Sequence, residues 1–500
     1  LNLNGTETVR SYNSSGALGL SPTAASGTLI VTESPINLMD GHVSLNGTNL
    51  QNLGGQDPQL TSNGEVLISG TANDTAIGPN NATINVNTVD IQSGTLTLDG
   101  LFINPTGTID IRNGATLVSG SANRINGDSA TVNMENGGTW TLGGDDTIET
   151  FNSSGLLNGV GILTATTYNL SNGAVTATGA NLGTGTLNSG PGTVTLNGDA
   201  GVETANVNSG ILNLNGQLTD VTDLNIANGA TLVNGSGERI NDAAVVDNSG
   251  ALTLNGAETV TTYNSDGGLL NGTGLLTSTT YNLSSGASTT AGADLGTGLL
   301  NSGPGTVTLD GNTNADLINI NSGNLITNGA VQNAGSVITV STDATWNANG
   351  NYTYATLQGN GTVEPGGINE TTFRNENTIT PGAGIGTLTI AGDYIESGVY
   401  HAELAQSPAS DTIRVTGSTT LDDDSRLDLA EFGGLVGGSG AVLCGERWNI
   451  IDTPGVINGG WGEISDINNP GTLGQAFQSQ LLFDRGTGDL VSLGLTGGQT

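Results

Sequence analysis

The 500-residue sequence predicts an all-β fold, a right-handed parallel β-solenoid (β-helix) followed by a C-terminal β-rich capping module. Three observations predict it: long blocks of sequence recur, a glycine-ended turn marker returns about every 20 residues, and the runs between markers alternate apolar with polar residues.

The recurrence is direct. TTYNLSNGAVTATGANLGTGTLNSGPGTVTLNG at 166–198 returns as TTYNLSSGASTTAGADLGTGLLNSGPGTVTLDG at 279–311, 113 residues further on. GATLVSGSANRIN at 114–126 matches GATLVNGSGERIN at 229–241, and LGGDDTIETFNSSG at 142–155 matches LNGAETVTTYNSDG at 254–267, with a third copy, LNGTETVRSYNSSG, at 3–16.

Inside a block the markers end at Gly190, Gly210, Gly229 and Gly250, preceded by Ser189, Ser209, Asn228 and Ser249, so the spacings are 20, 19 and 21. Each is followed by a short alternating run. In ILNLNG, Leu212 and Leu214 alternate with Asn213 and Asn215, which sends the leucines to one face and the amides to the other. One such strand cannot bury its apolar face alone, whereas stacked coils share a continuous core and satisfy each other's backbone. Asn-Gly and Ser-Gly accept the positive φ that corners require. At about 20 residues per coil, residues 1–362 give on the order of 18 coils. Tandem small sandwiches place turns every 8–12 residues but do not require a constant long spacing.

Composition narrows the partners. The hydrophobic 35% is mostly aliphatic, with 4% aromatic residues, which suits a thin, repetitive core. Forty-five acidic residues face nine basic ones, all arginine, for a net charge of −36, which disfavours nucleic acid and anionic membrane and leaves cations and neutral glycans open. Without lysine there is no Schiff-base, lysine-base or Lys–Asn cross-linking chemistry. The single Cys444 makes no internal disulfide and reads as a small buried side chain. No apolar run approaches a membrane helix, so no direct membrane insertion is expected. Leu1 opens inside a strand-like pattern, LNLNG, which reads as a processed chain.

The composition shifts after about residue 363. Arg374, Arg414, Arg426, Arg447 and Arg485 lie there with His401, Cys444, Trp448 and Trp461, so 363–500 is expected to form a β-rich cap or assembly module. GTVEPG at 361–366, PGAGIGTLTIAGDYIESGVYHAEL at 381–404 and SDTIRVTGSTTLDDDSRLDL at 410–429 resemble bacterial autotransporter passengers and related surface proteins with extracellular β-helices. The resemblance covers roughly 363–495 and implies a capping, folding-nucleating module on a β-helix secreted by a bacterium. Autotransporters continue into a membrane barrel, which is not seen before Thr500; the barrel has been removed or another secretion route is used.

Candidate chemistry is sparse. Asp145, Asp146 and Glu149 form a carboxylate set, but its copies read Thr6–Glu7 and Ala257–Glu258, as a solvated turn does. Asp422, Asp423 and Asp424 read as a polar turn. Arg124 and Arg239 occupy equivalent RIN copies, which suits a structural ion pair or ladder cap. His42 and His401 lack a Ser or Cys partner for a nucleophilic triad. DGNTNADL is the sharpest local signal: Asp310, Asn312, Asn314 and Asp316 alternate as oxygen donors in the manner of a calcium loop, although Ala315 replaces the usual Gly and position twelve is Asn321. The alternative is an Asx-rich turn. Asn-x-Ser/Thr sequons, as at Asn4, Asn152 and Asn271, follow from composition.

The expectation is therefore a non-enzymatic extracellular structural or adhesive surface protein. Its partners are other copies joined head to tail, or a host or cell-surface glycan. The alternative is a carbohydrate-active or glycan-binding β-helix, for which Trp140, Trp346, Trp448 and Trp461 are few aromatic platforms.

Overall fold

The structure is a computed structural model; it describes residues 83–99, 102–366, 371–405, 408–431, 447–455, 457–466 and 481–492, together with strand backbones between 6 and 69, and most side chains from Thr88 onward. Among the described residues every regular element is a strand, and nearly all pair in parallel, as the sequence predicts for a solenoid. The chain divides into two compact units, Leu1–Val260 and Thr261–Thr500.

In the first unit each coil has three faces. The first face stacks Thr139–Leu142, Leu156–Gly159, Val175–Thr176, Thr193–Leu196, Ile211–Leu214, Thr231–Asn234 and Ala251–Leu254. The second stacks the end of Asp146–Ser153, then Gly161–Leu170, Thr186–Ser189, Thr204–Val207, Asp223–Ile226 and Val245–Asn248. The third is thinner: Ala180–Leu182 pairs with Gly161–Leu163 and is continued by single bridges from Leu182 through Ala200 and Leu218 to Ile240. Thr193 pairs with Ile211 and Ile211 with Thr231, so coils of 18 and 20 residues stack in register. Corners, not strands, absorb the difference in length.

The alternation works as anticipated. Leu212, Leu214, Leu232, Leu252 and Leu254 are fully buried, one layer per coil. Between them the outward residues of the second face form an amide column: Asn152, Asn169, Asn188, Asn206 and Asn225 each donate from Nδ2 to Oδ1 of the asparagine in the preceding coil, at 2.8–3.0 Å. Identical side chains at strand spacing satisfy one another in this way without leaving the surface.

The second unit repeats the plan, with its own amide column through Asn264, Asn282, Asn301 and Asn319. The compositional border near residue 363 falls inside a continuous ladder, because Thr362–Pro365 pairs with Thr387–Ile390, which pairs with Thr412–Val415. What changes is the third face. Bridges from Leu295 through Thr313 and Val331 to Tyr352 give way to a four-stranded parallel sheet of Thr372–Asn375, Asp393–Glu396, Thr419–Leu421 and Ile457–Gly459. Aromatic rings mark the change: Tyr352 stacks on Phe373 at 5.0 Å, with Trp346 edge-on to both.

Among the described residues parallel stacking is left by an isolated antiparallel bridge between Leu404 and Ser410 and by Arg447–Asn449, Leu481–Asp484 and Asp489–Ser492, which form an antiparallel sheet. Its hairpin lies against the last described coil: Ile451 N–H donates to Gly488 O at 3.2 Å and Ile457 N–H to Arg485 O at 3.3 Å. An exposed edge is thereby given backbone partners.

Candidate binding groove

A corner motif shapes an open concavity on the first unit. Tyr168, buried at the start of the TTYN repeat, donates its hydroxyl to Leu163 O at 2.7 Å and accepts Ala165 N–H at 2.8 Å. The ring thus pins a bend between the third and second faces, and burial pushes its own pKa up to about 12. In the next coil Gly185 passes so close that a Cβ would lie 2.0 Å from Ala165 O, at a φ of +130° that favours glycine.

The result is an open groove of about 530 Å³ along the coils, lined by Thr147, Thr164, Thr166, Thr184, Thr186 and Glu203 above a floor of Ile148, Ala165 and Gly185. Its volume falls within the range of small-ligand sites. Five hydroxyls and one carboxylate can donate to and accept from a polyhydroxylated, uncharged ligand. The second unit has the counterparts Thr277, Thr279, Thr297, Leu299 and Asp316, with Tyr281 pinning the corner by hydrogen bonds to Leu276 O and Ser278 N. There Asp316 is already engaged, accepting from Gly298 N at 3.1 Å and Asn333 Nδ2 at 2.9 Å.

The calcium-like residues each have a partner in a neighbouring coil. Asp310 accepts from Asn328 Nδ2 at 2.6 Å, Asn312 accepts Ala330 N–H at 2.9 Å, and Asn314 offers its backbone oxygen to Asn333. Buried Thr313 and Ala315 separate them, and Thr313 bridges Leu295 and Val331. The segment is one rung of a ladder whose polar residues bond to neighbouring coils, whereas a calcium loop folds back on a common centre. Among the described residues no three His, Cys, Asp or Glu side chains cluster as metal ligands.

The first acidic set divides. Asp145 and Glu149 are exposed, but Asp146 is buried, so the solvated-turn expectation fails for that residue. Its Oδ1 accepts Arg124 N–H at 2.8 Å and Ile125 N–H at 3.2 Å. In the equivalent corner Glu258 accepts Arg239 N–H at 3.1 Å and Ile240 N–H at 2.8 Å. Each arginine reaches back to a serine three residues earlier, Arg239 Nε to Ser236 Oγ at 2.9 Å and Arg124 Nε to Ser121 Oγ at 2.6 Å. Burial raises Asp146 to about 6 and Glu258 to about 7, against those hydrogen bonds, which favour the ionised form.

Three further buried carboxylates escaped the sequence reading; Asp428 is paired with Arg426, and the other two bind backbone. Glu396 is held by Asn375 Nδ2 at 2.7 Å, Gly398 N at 2.8 Å and the Tyr394 hydroxyl; Asp411 accepts Gly386 N–H and Glu403 N–H at 2.8 and 2.9 Å. Burial lifts both to about 7. Each organises backbone, as the corner carboxylates do. Of the second acidic set, Asp422 pairs with Arg374 at 2.9 Å while Asp423 and Asp424 are exposed in a turn. His401 lies on the strand Val399–Leu404, facing Asp428 across the ladder. Cys444, the His42 side chain and the copy at 3–16, apart from strand backbone, lie outside the described residues.

No family model, curated protein or solved structure matches the chain.

Proposed function

We propose that the chain is an extracellular structural or adhesive protein of a bacterial surface, a non-enzymatic solenoid that presents repeated polar faces. The observation that carries this reading is the uninterrupted parallel stack within each unit, in which buried carboxylates and arginines are consumed in holding corners. The net charge of −36, the lack of lysine and the resemblance of 363–495 to autotransporter passengers support the surface location. A stalk is favoured over a head-to-tail filament, because the antiparallel hairpin already takes up backbone groups of the coil at Ile451 and Ile457. Self-association by that route requires the hairpin to move.

A second reading, glycan binding, has a specific observation behind it: the threonine-lined groove with Glu203. Screening the whole protein against neutral oligosaccharides tests both. Binding that weakens in Thr166→Val and Thr184→Val supports adhesion through the groove. Adhesion of displaying cells without glycan dependence supports the structural reading alone. Cleavage of a polysaccharide, abolished at one carboxylate, replaces both with an enzyme.

A further inference from the structure

The chain is rich in Asn-Gly pairs, the sequence in which an asparagine most readily cyclises. The glycine nitrogen attacks the asparagine Cγ, giving up its proton to solvent; the new N–C bond expels ammonia and leaves a succinimide, and water opens either ring carbonyl to an aspartyl or isoaspartyl residue. The step needs a glycine N–H that is free to lose its proton and a backbone free to turn inward. Little flanking side chain resists it, so the fold decides which pairs react.

The solenoid shields most of them. Gly173 donates to Thr193 O at 2.7 Å, Gly216 to Leu196 O at 3.0 Å, Gly235 to Leu214 O at 2.9 Å and Gly329 to Leu309 O at 3.1 Å. Each proton is held by an adjacent coil, the following one for Gly173 and the preceding one for the other three. Outside the strands, three glycine N–H groups of such pairs have no partner among the described residues, those of Gly137, Gly229 and Gly256, but Asn255 is tied down by its Nδ2, which donates to Asn234 O at 2.9 Å. Asn136–Gly137 and Asn228–Gly229 are exposed and carry no such side-chain bond. Both sit in tight turns closed by a bond from Gly138 N to Glu135 O or from Ala230 N to Ala227 O, each 2.9 Å, with φ of +85° and +79° at the glycine.

The duplication supplies an internal control. Asn113–Gly114 is the repeat counterpart of Asn228–Gly229, followed by the same Ala-Thr-Leu-Val and closed by the same turn, from Ala115 N to Arg112 O with a glycine φ of +77°. Gly114 N, however, donates to Gly137 O at 3.1 Å. From the asparagine onward local sequence and turn are equal; Arg112 stands before Asn113 where Ala227 stands before Asn228, and the contacts with the neighbouring coil differ, with Asn113 N–H also donating to Glu135 Oε2 at 3.1 Å.

We infer that Asn136 and Asn228 are sites of spontaneous deamidation, at which the mature protein gains negative charge and isoaspartyl linkages, while the coil-bonded pairs are preserved. The test is peptide mapping by mass spectrometry, with enzymatic isoaspartate labelling, after incubating the whole protein at mildly alkaline pH. Conversion at Asn228 is expected to exceed that at Asn113 by about tenfold or more, the scale on which a held amide is protected until it opens locally. Asn136 is expected to behave like Asn228, and in urea Asn113 and Asn228 are expected to converge. Equal rates at Asn113 and Asn228 in the folded protein, or an unchanged ratio in urea, overturn the assignment.

Discussion

The two RIN corners perform the same task with different side chains. In one, the short carboxylate of Asp146 gathers both backbone N–H groups on a single oxygen, next to Ser119, which also accepts the Trp140 indole N–H at 3.1 Å. In the other, the longer Glu258 divides them between its two oxygens and takes a further hydrogen bond from Asn234, the counterpart of Ser119. Leu252 replaces Trp140 there. Every one of these side chains is buried. A large ring beside a serine, or a smaller leucine beside an asparagine, fills a coil layer and pairs its polar atoms. Duplicated coils can therefore diverge by exchanging neighbours together while the backbone acceptor stays.

The comparison is broken most severely at its largest side chain. Trp140→Ala leaves a cavity against Phe151, 5.8 Å away between ring centroids, and strips Ser119 of its donor. A loss of about 3–5 kcal/mol in urea unfolding is expected. The informative variant is Trp140→Leu with Ser119→Asn, which rebuilds the other copy. If volume and polarity are exchanged jointly, the double variant is more stable than Trp140→Leu alone by about 1 kcal/mol, and a double-mutant cycle measures the coupling. Strict additivity would show that the two positions are independent.

Glu258→Ala comes next. It leaves the N–H groups of Arg239 and Ile240 and the Asn234 amide without their acceptor, at a cost of about 2–4 kcal/mol. Glu258→Asp is expected to recover a good part of that loss, since the sister corner works with an aspartate. Thermal unfolding followed by circular dichroism checks the order of the three proteins.

The same groups set the pH response. Asp146, at about 6, and Glu258, Glu396 and Asp411, at about 7, all lie above the ordinary carboxylate range because they are buried. The folded state therefore binds protons more tightly than the unfolded chain. This contribution is complete near pH 4 and is lost as pH rises through about 6–7. The charge of −36 acts in the same direction, since self-repulsion grows with ionisation. Glu135, which is exposed, and Asp393 and Asp484, which are half-buried, are lowered by hydrogen bonds and oppose this only at more acid pH. The expected outcome is a melting temperature several degrees higher at about pH 5 than at about pH 8, with Glu396→Gln flattening the slope. A melting temperature that rises toward pH 8 would refute the sign.

Much of this was legible before any coordinates. Period-two alternation fixed which leucines turn inward, and the 20-residue markers fixed the coil, because both follow from backbone geometry that any stacked strand must obey. The corner carboxylate was within reach as well: the three repeat copies carry Glu7, Asp146 and Glu258, acidic each time, and a position that stays acidic while its neighbour varies between Thr, Asp and Ala is not behaving as a solvated turn. The segment 310–316 reads two ways for a physical reason: donors at every second residue suit a calcium loop and a solenoid corner alike, and here Thr313 and Ala315 between them are buried, with Thr313 bridging the neighbouring coils. The groove was not legible, since it arises from the bend pinned by Tyr168 and the close approach of Gly185; both recur 113 residues on as Tyr281 and Gly298, but recurrence alone does not say which backbone atoms a ring bonds or how closely two coils pass.

The smallest expected effect belongs to the other arginine of the Arg124 coil. Arg112 reaches Asp90 at 2.8 Å, Glu135 at 3.1 Å and Asp110 at 3.3 Å, tying three coils together on paper. Its side chain is 43% exposed, so water and salt screen each pair and the long side chain loses rotamer freedom in holding them. Arg112→Ala should therefore lower stability by less than about 1 kcal/mol, and the difference should shrink further in high salt. Arg124, in the same coil, is almost fully buried at the corner it closes. Arg124→Ala should cost more and be insensitive to salt, because what it removes is packing and a hydrogen-bonded corner rather than a screened charge. If Arg112→Ala proved the more damaging of the two, surface charge rather than the buried corners would be holding the coils in register.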